Sequence, residues 1–181
     1  MSREAPGALE LVRSFINTAA LDGSPDELDS PAALHDWLVG RALLDPDENA
    51  GQDELASAIA VREALRALCY ANTGGPLDPS APDVLDAAIE RIGLRLRFER
   101  SGSAVIAPAC CGVSGALGRL LVIVYEAMQE GTWSRLKACR SDDCRWAFYD
   151  GSRNHSGAWC SMDGCGNRAK ARAFRERHAG A

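Results

Sequence analysis

A chain of 181 residues with 46% hydrophobic content can bury a full core, which excludes a generally disordered polymer. Its longest apolar run, LLVIVY (Leu120–Tyr125), is too short to cross a bilayer, and MSREAPGALELVRSF has no apolar segment behind a basic start, so a soluble cytoplasmic protein without a signal peptide is expected. The net charge of −5 divides unevenly: residues 1–132 carry 10 Lys/Arg against 20 Asp/Glu and residues 133–181 carry 10 against 5, giving an acidic body with a basic tail suited to an anionic partner such as nucleic acid.

The body reads mainly as helices. ALELVRSFINTAA places Leu11, Val12, Phe15, Ile16 and Ala19 on one helical face. In LDSPAALHDWLVG, Ser30 is the expected N-cap, Pro31 the first helical residue and Gly40 the end. ELASAIAVREALRALCYANTGG is a long helical pattern stopped by Gly74-Gly75, and SAPDVLDAAIERIG repeats the Pro-start, Gly-stop grammar through Pro82 and Gly93. The period then changes to two: LRLRFER and SAVIAPA flank Ser101-Gly102 and predict a β-hairpin. SGALGRLLVIVYEAMQEG returns to helix and ends near Gly131. Charge sign and cysteine density both change at Thr132–Ser134, which predicts an α-rich domain over 1–132, able to fold by itself, and a small module over 133–181. The join is too short for free swinging.

That module holds four of the seven cysteines, Cys139, Cys144, Cys160 and Cys165, as C-x4-C, fifteen residues, C-x4-C. In a reducing compartment such pairs favour a metal over disulfides. Zinc takes four soft ligands at tetrahedral corners, and four thiolates close its shell against water, so one structural zinc per chain is expected. The intervening residues suggest a strand through RWAFYD, a turn at GSRN and a return toward GAWC. GNRAKARAFRERH then reads as a helix, and this order of elements is that of a treble-clef finger. Trp146, Phe148, Trp159 and Phe174 are the expected apolar cluster around the metal. Of the other cysteines, Cys69 lies on the apolar stripe with Leu65 and Leu68 as core filler. Cys110 and Cys111 point to opposite faces of a strand end and make a poor shared metal site.

In the C-terminal helix Arg168, Arg172 and Arg175 share a face, Lys170 and Arg177 flank it, and Arg153 in the turn is placed to join it. Arginine forks suit phosphates and guanine edges. A solvated helix, or one salt-bridged to the acidic body, is the competing reading.

At WCSMDGCGNRAKARAFRER the sequence resembles the CGNR zinc-finger family, and CRSDDCRWAFYDGSRN matches that family's first cysteine pair and following strand. Upstream, LVRSFINTAALDGSPDELDSPAALHDWL resembles the start of the ABATE domain that usually precedes this finger. The resemblance implies a bacterial, stress-induced transcription regulator with a DNA-binding finger, and carries the family's zinc ligands onto Cys139, Cys144, Cys160 and Cys165. One departure concerns charge: many relatives carry arginines just before the Trp-Cys pair, where this chain has Gly157 and Ala158. In the finger, Asn167 and Arg168 could also cap the helix and orient thiolates.

For the body, Asn17, Trp37, Arg62 and Arg66 are the candidate lining of a small-molecule pocket, each with a competing role as cap, core filler or surface charge. No nucleophile–base set, Gly-rich phosphate loop or deaminase signature is present, so an enzyme is not expected. The expected fold class is α+β, mainly helical. The expected function is a zinc-finger regulator that binds DNA and uses the body to sense an effector or form a homodimer. The alternative is a protein-interaction or ligand-binding module with a purely structural zinc.

Overall fold

The computed structural model describes residues 4–178. Helix α1 (Leu9–Ile16) buries Leu9, Val12, Phe15 and Ile16, while Leu11 is only half-buried. Helix α2 (Pro31–Val39) opens as expected, with Ser30 Oγ accepting from the Ala33 amide at 3.2 Å. The 21-residue α3 (Gln52–Asn72) begins where the Glu54 carboxylate accepts from the Gly51 amide at 2.7 Å. Helix α4 (Ser80–Ile92) starts two residues ahead of Pro82 and stops at Gly93, whose φ of +66° is a left-handed cap. Strands β1 (Arg95–Phe98) and β2 (Ala104–Ala107) form the predicted antiparallel hairpin, with Leu96 opposite Ile106. Helix α5 (Gly112–Gln129) completes the body. Its core gathers Val12, Phe15, Leu34, Leu65 and Leu120 around α3, which packs against each of the other four helices.

The charge step at Thr132 is not a break in packing. A short 3-10 turn (Trp133–Arg135) leads into β3 (Leu136–Ala138), which is buried along its whole length against α3. Trp133, Leu136, Ala138 and Ala147 belong to the same apolar cluster as the body's helices. Strand β4 (Ala147–Tyr149) pairs antiparallel with β3, setting Lys137 opposite Phe148. This corrects the expected hairpin. The strand through RWAFYD is present, but its partner precedes the first cysteine pair, and no strand forms over 157–160. Leu136–Ala138 offers apolar side chains for α3 to cover, whereas GSRNHSGA has little to bury and stays irregular.

A two-stranded sheet leaves backbone groups unpaired at its edges, and here the body satisfies several of them. Asn17 takes both groups of Ala147, donating to its carbonyl at 2.9 Å and accepting its amide at 2.7 Å. Asn72 donates to the carbonyls of Trp133 and Leu136 at 3.0 and 2.9 Å, and Thr73 donates to that of Ala138 at 2.6 Å. Arg66 reaches the Arg145 carbonyl at 3.2 Å and holds those of Ile16 and Ala19 at 2.7 and 2.8 Å.

A fragment ending at Thr132 would bare the α3 face under Leu136 and Ala138 and orphan Asn17 and Asn72. It is expected to lose the cooperative thermal transition of the full chain. A sharp transition in calorimetry would show that the body closes its own core, as its composition alone suggests.

Candidate metal centre

Two chain reversals bring the four sulfurs together. Cys139 continues directly from β3, its amide donating to the Trp146 carbonyl at 3.0 Å. The chain turns at Ser141, whose carbonyl accepts the amides of Cys144 and Arg145 at 3.0 and 3.1 Å. Arg145 takes the left-handed region at φ +50° to complete that turn, and its guanidinium lies 3.4 Å from the Tyr70 ring centroid on α3. The second reversal is a π-helical turn, Met162–Gly166, which carries Cys165. Ser161 starts it by accepting the Gly164 amide at 3.3 Å, and α6 (Asn167–His178) follows without a break.

The four Sγ atoms lie within 4.8 Å of one another, with Cys144–Cys160 at 3.6 Å and Cys160–Cys165 at 3.7 Å. A regular tetrahedron built on metal–sulfur bonds of ~2.3 Å has edges of about 3.8 Å. These separations match that edge and far exceed a disulfide bond, and all four cysteines are free thiols. Packed this closely, the thiols do not titrate independently. Hydrogen bonds from Cys144 and then Cys160 hold Cys139 well below its ordinary pKa, and the backbone amides of Cys160 and Ser141 add to this. The same contact with Cys139 pushes Cys144 up to about 11. A dication relieves that crowding by taking the place of the shared protons, so the donor set fits one zinc ion. Four thiolates leave no position for water, and a bound zinc here serves the fold.

The residues after Cys165 each have a local reason. Gly166 passes so close to Met162 that an added Cβ would lie 2.8 Å from its sulfur. Asn167 begins α6, with Nδ2 at 3.5 Å from the Asp163 carbonyl, the long limit of a hydrogen bond. Arg168 donates to Cys165 Sγ at 3.0 Å, and that contact with the thiolate raises the Arg168 pKa. Four thiolates around a dication carry an excess of negative charge, which a guanidinium in hydrogen-bond contact offsets.

The loop between the cysteine pairs is held by a buried ion pair. Lys137 Nζ donates to Asp150 Oδ2 at 2.8 Å and also to the carbonyls of His155 and Gly157. Burial alone would raise the Asp150 carboxyl. The Lys137 ammonium and the amides of Ser152 and Gly157 instead hold it well below the usual carboxylate range. This depressed carboxyl stabilises the loop at pH above ~4 and loses its contribution as pH falls below that. A Cβ at Gly157 would come within 2.8 Å of the Asp150 carboxyl carbon, so this chain has no room for an arginine there.

The other basic candidates behave differently. Lys170, Arg172, Arg175 and Arg177 are exposed on α6, and among the described residues no hydrogen bond or ion pair engages their side chains. Arg153 is equally exposed in the turn, and no contact ties it to α6. A cleft of about 170 Å³ between the first cysteine loop and α6 is lined by Arg140, Arg168 and Arg172, with Asp142 and Glu176. Arg140, which sequence reasoning passed over, is fixed there by a bond to the Thr73 carbonyl at 3.0 Å. Of the expected aromatic cluster, Phe148 is buried, Trp159 half-buried and Trp146 partly exposed. Phe174 is 56% exposed and stacks on His178 instead, because α6 leads away from the metal centre.

Two of the four body candidates meet the finger at the seam. Asn17 and Arg66 hold the finger, and Arg62 forks onto Asp26 at 2.7 and 2.6 Å while also reaching Thr18 and Glu63. Their polar groups are engaged by protein. Trp37 lies apart, packed on Phe15 with ring centroids 5.5 Å apart and covered by Arg41. Cys69 is fully buried in the core, and burial pushes its thiol up. Cys110 bonds to the Ile92 carbonyl while Cys111 faces solvent.

Family models match both parts of this arrangement. The CGNR zinc finger matches residues 135–178, and a model described as "Putative stress-induced transcription regulator", the ABATE domain, matches residues 8–121. The chain belongs to the ABATE family. No curated protein matches it. In this ABATE protein the Cys-Gly-Asn-Arg signature of the finger is Cys165–Arg168: a sulfur, a close turn, a helix start and a guanidinium on the sulfur. No helix of the described residues is long and apolar enough to cross a membrane.

The purified chain should carry about one zinc by elemental analysis. Cys160→Ala should abolish that zinc, whereas Cys69→Ala should leave it unchanged. Removing the Arg168 guanidinium is a separate test: Arg168→Ala should retain zinc but bind it roughly tenfold more weakly in competition with a chelator, within the ~10–100-fold range for partners of metal ligands. Arg168→Lys should be intermediate.

Proposed function

We propose that this chain is a DNA-binding transcription regulator in which zinc holds the finger, α6 meets the duplex, and the body senses an effector or joins two copies. One observation carries this reading: among the described residues, the side chains of Lys170, Arg172, Arg175 and Arg177 on α6 have no hydrogen-bond or ion-pair partner. A helix docked on the acidic body would show its arginines paired with body carboxylates, and the described residues contain no such pair. Arg168 lies near enough to the body to help lower the pKa of Asp22, mainly set by hydrogen bonds from Ser24. Lys170, Arg172, Arg175 and Arg177 thus present unneutralised positive charge on a helix whose start is fixed by a metal centre. Such an arrangement suits phosphate binding.

The binding is expected to be weak and mostly through phosphates for one copy. A single finger covers little surface, the body is acidic, and the loop at Gly157-Ala158 adds no charge. Two copies reading two half-sites would supply specificity. We assign no catalytic step to the chain. Fluorescence anisotropy of a short duplex at low salt, with zinc-loaded protein, should show binding that falls steeply as salt rises. Arg172→Ala should weaken it about equally for all sequences and lower the salt slope by roughly one. No DNA affinity even at low salt would leave the protein-interaction reading in its place.

A further inference from the structure

A cavity of about 450 Å³ opens in the body between α3, α4, α5 and the β1–β2 hairpin. Its floor is core: Leu65, Leu85, Leu121 and Val124 are buried. The hairpin register sets Leu96 opposite Ile106, and both line the cavity. Leu96 stays 62% exposed there, and Tyr125 and Met128 of α5 continue the apolar surface at 47% and 43%. Large apolar side chains left exposed around a concave apolar space mark a binding surface. The volume lies inside the ~300–1,000 Å³ range of small-molecule sites.

The sign of charge at this opening is negative. Arg95 borders the cavity but pairs with Ala107, and adjacent strand residues point to opposite faces, so its guanidinium belongs to the face away from Leu96 and Ile106. On α4 the lining residues Pro82, Leu85, Asp86 and Ile89 follow the i, i+3, i+4, i+7 spacing of one helix face. Asp86 is therefore the charged side chain that this face brings to the cavity. Asp83 and Glu90 flank it one turn away on either side, and all three residues are exposed. Among the described residues no hydrogen bond or ion pair engages their carboxylates. Arg91, the basic residue of α4, is occupied elsewhere, donating to the Ala87 carbonyl and the Ser57 hydroxyl at 3.3 Å each. Unpaired like charges one turn apart repel, and a cation placed beside them relieves that repulsion. Tyr125 adds an aromatic ring to the lining, a second group that attracts a cation.

We infer that this cavity binds an amphiphilic monocation, such as an ammonium on an apolar body, with the tail among Leu65, Ile89, Ile106 and Val122 and the cationic head at the Asp86 rim. The apolar lining supplies most of the affinity, and Asp86 sets the preferred charge of the head. This names a ligand class for the sensing role proposed above and rests on that reading. The test contains no DNA, so its failure and the failure of DNA binding are separate results.

Octylamine (protonated at neutral pH), 1-octanol and octanoate are the probes, titrated calorimetrically into the zinc-loaded full chain. Octylamine should bind most tightly and octanoate least. Asp86→Asn, a change at an exposed position, should weaken octylamine roughly threefold to fivefold, the scale of an exposed ion pair, and leave octanol unchanged. Asp86→Lys should invert the order of octylamine and octanoate. Asp47→Asn removes an exposed carboxylate outside the cavity and should change nothing, which separates the rim from the general acidity of the body. Val122→Trp should fill the cavity and abolish binding of all three probes, with Ile89→Trp as a second filling variant, each checked for zinc content and helical signal. Absence of binding by every probe overturns the inference. So does octanol binding as tightly as octylamine, an order that Asp86→Lys leaves unchanged, or octylamine binding that the folded filling variants leave intact. A dimer by light scattering that binds no probe would show that a second copy covers the groove, and would overturn it too.

Discussion

The finger depends on one geometric requirement: four sulfurs must stand about 3.8 Å apart around a point. Separations of 3.6 and 3.7 Å between neighbouring thiols meet it. Several local features nearby serve that convergence. Arg145 adopts a left-handed backbone to close the first loop, Gly166 dispenses with a side chain to close the second, and Arg168 brings positive charge to Cys165. The Lys137–Asp150 pair holds the intervening loop. Without a dication, four crowded thiols would gain little from this arrangement, so the metal and the local fold require each other.

The finger is also not free of the body. Helix α3 supports both, and its surface divides by function. Leu65 and Leu68 line the apolar cavity. Arg66, Tyr70 and Asn72 grip the strand region that leads into and out of the first cysteine loop. The apolar cavity and the finger are thus both built against one helix. The acidic body and basic helix coexist by the same design: the body spends its buried arginines, Arg62 and Arg66, on its own carboxylates and carbonyls, while α6 keeps its charges for solvent.

Much of this was legible from residue order. Cap and stop residues marked α2 and α4, and the change to a period of two marked the β1–β2 hairpin. The cysteine spacing named all four thiols of the cluster, since a short loop closes on a metal almost regardless of context. What was not legible depends on tertiary contacts. Nothing local in Leu136–Ala138 says that α3 will bury it and that β4 will pair with it rather than with the stretch before Cys160. Asn17 and Arg66 stand out in the sequence only as polar residues that could line a small-molecule pocket. That signal reports burial with a partner, and it does not distinguish an external ligand from a backbone 130 residues away, as for Asn17 with Ala147. The cavity was missed for the opposite reason: its lining reads residue by residue as ordinary core.

X-ray absorption at the zinc edge addresses the central claim most directly. The account predicts a first shell of four sulfurs at ~2.3 Å and no nitrogen or oxygen scatterer. A shell containing oxygen or nitrogen, or fewer than four sulfurs, would contradict a closed thiolate centre and the fold argument built on it.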